Sequence, residues 1–227
     1  MLNIYYIVLL GLGIIGLIIY FLIAIRDFNK TGYRKFNFLT YIPFELNLFK
    51  VNKYNTFASQ LIFLISTSFF PLSTFLFAFR TQQAGGSIGP AYSIFAVSTI
   101  VWLLVNVLIF LKLSHYNAHM IITSAFVVSN LLLDILSMFF FTTSYFKFVN
   151  GFLTQPLQIT CFIISLILIL FEMLLMLNPS YKDWFKMVKV DAETFNRPKH
   201  CYLAMLEWGS LLHYILFSII ITILMFL

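Results

Sequence analysis

Asp134 is the first residue of this chain to ask about, because it lies within Met120–Phe141, a stretch long and apolar enough to cross a bilayer. Asn130 stands one helical turn before it, on the same face. A carboxyl group in the hydrocarbon costs at least about 2.5 kcal/mol on insertion scales, so it must be compensated by a partner or kept for a task. Glu172, His213 and Asn106 interrupt other apolar runs in the same way. Asp134, Asn130, Glu172, His213 and Asn106 are therefore the candidate intramembrane polar residues. In a functional reading they mark an ion or substrate path or a proton relay, with His213 and Glu172 as the titrating members. In a structural reading a protonated Asp134 bonds Asn130 or a neighbouring helix, Glu172 reaches towards the headgroups, and the polar groups join helices.

Depth along each span sets an expectation of which residues meet. With each span centred on the bilayer and a rise of about 1.5 Å per residue, Glu172 falls about 8 Å to the cytoplasmic side, and Asn106 and His213 about 7 Å to the same side. Asn130 falls near the centre and Asp134 about 5 Å towards the outside. A layer of Asn106, Glu172 and His213 is expected, with Asp134 in a separate outer cluster with Ser73, Ser98 or Thr160. Asp134 and Glu172 are not expected to pair.

Other chemistry-bearing residues are sparse. His115 and His119 share a face if their turn is helical, but two histidines without a third ligand nearby read as solvated loop residues. Gly11, Gly13 and Gly16 spell G-x-G-x-x-G. They lie inside one apolar run, without the strand, helix and ribose-binding acid that nucleotide binding needs, and so read as helix packing. Cys161 and Cys201 fall on opposite sides of the membrane and are not expected to bridge. No phosphate-cradling loop, H-E-x-x-H, paired C-x-x-C or G-x-S-x-G is present, so no catalytic, cofactor-binding or metal-ligating set is assigned.

The elements that carry these residues follow from composition. The chain of 227 residues is 61% hydrophobic and 10% charged with a mean hydropathy of +0.96. A soluble globule carries about 25% charged residues, so this is an all-α integral membrane protein, read as one polytopic domain over residues 1–227. Six transmembrane helices are expected, at about 4–25, 57–79, 91–111, 120–141, 156–177 and 208–227. The first run has no basic residue before it and no small-x-small cleavage site after it, which favours an uncleaved span over a signal peptide. Pro71 in the second run predicts a kink and not a break.

Twelve of the 14 basic residues fall in alternate connections, and only Arg80 and Lys147 fall in the others. The positive-inside rule then places both termini outside, N-out and C-out, in a multi-pass cell-membrane protein. The net charge of +6 is explained by this bias and by attraction of the cytoplasmic loops to anionic headgroups; no nucleic-acid module is implied. Tyr181, Trp184, Phe185 and Val188 recur at helical spacing and predict a short cytoplasmic amphipathic helix over Tyr181–Lys189. Phe36–Phe49 is also apolar, fits helix and alternation equally, and is expected to lie in the headgroup layer. Without an energy-converting motif, the chain reads first as a transport or permease component working with a membrane-protein partner. The alternatives are a scaffold or assembly factor acting through the basic loops, and a membrane-embedded lipid-modifying enzyme, which would need clustered polar side chains at the cytoplasmic interface.

Overall fold

A computed structural model describes the protein over residues 2–30, 35–47, 57–83, 88–111, 115–140, 155–177, 188–189, 195–196 and 201–226. The chain is helical throughout its apolar runs: α1 (Leu2–Lys30), α2 (Phe57–Gln83), α3 (Ile88–Phe110), α4 (Tyr116–Phe140), α5 (Gln155–Met176) and α6 (Tyr202–Phe226). Five of these are long and apolar enough to cross a membrane, and α5 has a shorter apolar stretch, Ile163–Leu174, among its described residues. A bilayer offers no water to unpaired backbone groups, so an apolar run that satisfies its own N–H and C=O groups as a helix is the form such a sequence takes.

The last helix occupies the middle. Consecutive helices from α1 to α5 pack on one another in order, whereas α6 packs on α1, α2, α4 and α5 and also meets α3 through Ser98 and Tyr214. Leu203, Leu206, Leu211, Tyr214, Phe217 and Ile221 of α6 are buried accordingly. α4 is sided: Ile121, Val128, Leu132, Ile135 and Phe139 face outward, while His119, Thr123, Asn130, Asp134 and Ser137 face the bundle. That arrangement inverts a soluble helix, with lipid taking the apolar face.

α1 is seated on α2 by its glycines. A Cβ on Gly16 would run into Ser66 Oγ, and one on Gly13 would lie 2.9 Å from the Ser66 carbonyl oxygen. Close backbone approach through small residues is how membrane helices gain packing energy without a hydrophobic drive. Gly13 and Gly16 of the G-x-G-x-x-G run are thus packing positions, whereas a Cβ on Gly11 would meet open space. α2 continues through Pro71 without a break.

Several helix ends differ from the expected spans. α4 starts at Tyr116, not Met120, and α6 starts at Tyr202, not Trp208. In both cases an ionisable residue, His119 or Glu207, is taken into the helix because it finds a buried partner. The segment after α1 packs on this end of the bundle. It forms a short 3-10 helix, Pro43–Asn47, with Ile42, Glu45 and Leu46 buried. Trp208 Nε1 donates to the Tyr41 carbonyl at 2.9 Å, and the Cys201 N–H donates to the Leu39 carbonyl at 2.8 Å. Packing on helices replaces the expected headgroup seat for these buried residues. Most of the proposed amphipathic helix, residues 181–187, lies outside the described residues. Its last two, Val188–Lys189, pair antiparallel with Phe195–Asn196 instead of continuing a helix.

Candidate intramembrane site

His213 joins the two carboxylates that depth alone keeps apart. Its Nε2 is 2.7 Å from Asp134 Oδ2 and its Nδ1 is 2.9 Å from Glu172 Oε1, with all three side chains buried. Each comes from a different helix: Asp134 from α4, Glu172 from α5 and His213 from α6. His213 projects from the inner stripe of α6 that includes Ser210 and Tyr214, near the helix midpoint.

Two physical causes explain why the expected layering fails. Moving the start of α6 back to Tyr202 brings His213 from the cytoplasmic half to the middle of its helix. The helices are also out of register along their axes. Asp134 lies about 9 Å from the end of α4, whereas Glu172 lies about 25 Å from the start of α5, although the two ends are joined by one connection. A common midplane for all spans therefore misplaces side chains by more than a helical turn.

The remaining candidates divide between this seam and another. Asn130 Nδ2 donates to the Ser210 carbonyl at 2.9 Å, one turn of α4 from Asp134. Asn106 is elsewhere: its Nδ2 donates to the Trp102 carbonyl at 2.8 Å and to Thr67 Oγ1 at 3.2 Å, tying α3 to α2. Neither bond joins it to Glu172 or His213. Ser73 donates to the Phe70 carbonyl and Ser98 pairs with Tyr214, so neither attends Asp134. Thr160 is exposed.

Sequence reasoning missed a second cluster. His119 Nε2 lies 3.0 Å from Glu207 Oε1, and Thr123 Oγ1 donates to the same oxygen at 3.0 Å, with both ionisable side chains fully buried. The buried Glu45 carboxylate acts electrostatically on the same imidazole. His119 is thus a core residue, while its neighbour His115 is exposed as expected. A usable signal was present: His119, Thr123, Asn130 and Asp134 all fall on one face of a continuous helix.

Charge counting indicates what the first cluster can do. Two ionised carboxylates and a neutral imidazole carry two negative charges, which the membrane interior strongly disfavours. Two bound protons make the set neutral, and three basic groups then share two protons. One vacancy remains, so a proton can shift along Asp134–His213–Glu172 without creating a new buried net charge. The N···O separations have hydrogen-bond length, yet Asp134 Oδ2, His213 Nδ1 and both Glu172 oxygens lack an aligned hydrogen-bond partner among the described residues.

A metal ion is the other ligand the donor set admits, since one ligand atom from each residue lies within 4.8 Å of the others. An imidazole gives an ion only one of its nitrogens, however, and here each nitrogen faces a different carboxylate. An ion on either nitrogen would take one carboxylate directly and leave the other to orient the ring from behind. Two protein ligands are fewer than the three or four of ordinary transition-metal sites. Compared with known proteins, the chain matches no family model, no curated protein and no solved structure.

Proposed function

We propose that this multi-pass protein is a proton-translocating membrane transport component in which Asp134, His213 and Glu172 form the relay. The observation that carries this reading is the carboxylate–imidazole–carboxylate chain drawn from three buried helix faces. Buried ionisable groups are expensive in a bilayer and typically line the paths of pumps and transporters. A structural role alone would be met more cheaply by amides or hydroxyls, as Asn106 and Thr67 do between α2 and α3. Against a lipid-modifying enzyme stands the seal over the other polar cluster, where His119 and Glu207 have no exposed side-chain surface for a headgroup to reach.

The test is proton flux into vesicles containing the purified protein and an internal pH dye, driven by a potassium diffusion potential. Wild-type vesicles acidify faster than protein-free ones. Asp134→Asn keeps the shape and hydrogen bonding of the side chain but cannot exchange a proton, and should lower the flux at least ten-fold with the protein still folded. Wild-type vesicles as proton-tight as empty ones would overturn the proposal.

A further inference from the structure

The two imidazole–carboxylate clusters lie on the same pair of helices. On α4 they are centred on His119 and Asp134, and on α6 on Glu207 and His213. Between them stand Asn130 and Ser210, buried and in contact through the Ser210 carbonyl. Unsatisfied polar atoms occur elsewhere in the bundle, on Tyr20, Gln60 and Asn106, but three lie on this seam between the clusters. Glu207 Oε2, Ser210 Oγ and Asn130 Oδ1 are buried without a hydrogen-bond partner among the described residues. Buried polar atoms without protein partners are normally met by internal water. Three such atoms between the two imidazole–carboxylate clusters point to a file of water.

We infer that a water-filled proton path runs along the α4/α6 seam from the Asp134–His213–Glu172 relay to Glu207 and His119, with Ser210 and Asn130 holding the waters between. The inference rests on the proton-transport reading of the relay and adds a second station and the route that joins them. Spacing supports it. Ser210 lies about 4.5 Å along the axis of α6 from Glu207 and equally far from His213, so it stands midway in height between the two clusters. Each hop breaks one O–H or N–H bond and forms one on the next acceptor, so no electron or co-reactant is required. Thr123 and His119 occupy one oxygen of Glu207 and leave the other without a partner among the described residues, open to a hydrogen bond from water. The path ends beneath the packed segment that carries Glu45, at the end of the bundle where α4 and α6 begin.

Silver ion tests for water directly, since it binds thiols and is small enough to follow a water file. Ser210→Cys and Ser218→Cys proteins are reconstituted with native cysteines retained, exposed to silver, then unfolded, alkylated and scored residue by residue by mass spectrometry. Ser218 is the control, being buried on α6 with its hydroxyl already bonded to the Tyr214 carbonyl. The path predicts protection of Cys at 210 at least ten-fold faster than at 218, and equal rates would overturn it. Glu207→Gln in the flux assay gives a second readout that does not depend on a cysteine variant folding. A loss of at least ten-fold supports the path; wild-type flux from Glu207→Gln together with a dead Asp134→Asn retains the relay and rejects the path. Unchanged flux in Asp134→Asn rejects the transport reading itself, while the silver result still decides whether the seam holds water.

Discussion

His213 and His119 are both buried imidazoles held between α4 and α6, yet their surroundings differ in completeness. His119 lies 3.0 Å from the Glu207 carboxylate, and a threonine hydroxyl shares that oxygen. His213 faces a carboxylate at each nitrogen, and neither oxygen of Glu172 is given an aligned donor among the described residues. The first cluster includes a neutral hydroxyl donor on its carboxylate, whereas the second is built of ionisable groups alone, with more basic sites than protons. The contrast teaches that burial alone does not describe an ionisable residue; the donors and acceptors around it set what it can exchange.

His213→Leu should produce the largest effect. It strands two carboxylates with no cation between them, and breaking a buried pair in this way costs about 3–5 kcal/mol. A large fall in thermal unfolding temperature in detergent is expected. His119→Leu should cost less, about 1–3 kcal/mol, because Glu207 keeps its bond from Thr123. If the two variants were equally destabilised in the same melting experiment, the distinction between them would fail. Thr123→Val should have the smallest effect, about 1 kcal/mol, since it removes one neutral donor from an oxygen that His119 still contacts. A Thr123→Val protein as unstable as His119→Leu would show that the hydroxyl, and not the imidazole, holds the second cluster.

The membrane class and the helices were legible in the sequence because hydrocarbon admits few alternatives to an apolar helix. Asp134, Asn130, Glu172, His213 and Asn106 were legible as buried polar groups for the same reason. Their grouping was not. Glu207 and His119 carry charge in isolation and so read as connection, but each neutralises the other's cost and the helices extend to include them. The offset between α4 and α5 is fixed by side-chain packing between helices, on which span length and hydropathy carry no information. That offset is what brings Glu172 level with Asp134.

Trp208 follows Glu207 directly in α6, and its ring packs against Phe21, Phe36 and Phe38 while its N–H is held by the Tyr41 carbonyl. The chain has 3 tryptophans, so a protein retaining only this one is within reach. Indole emission depends on the polarity around the ring and on its hydrogen bond. The protein therefore carries an intrinsic optical gauge one residue from the acid of its second cluster, reading whether the segment bearing Tyr41 is seated or lifted.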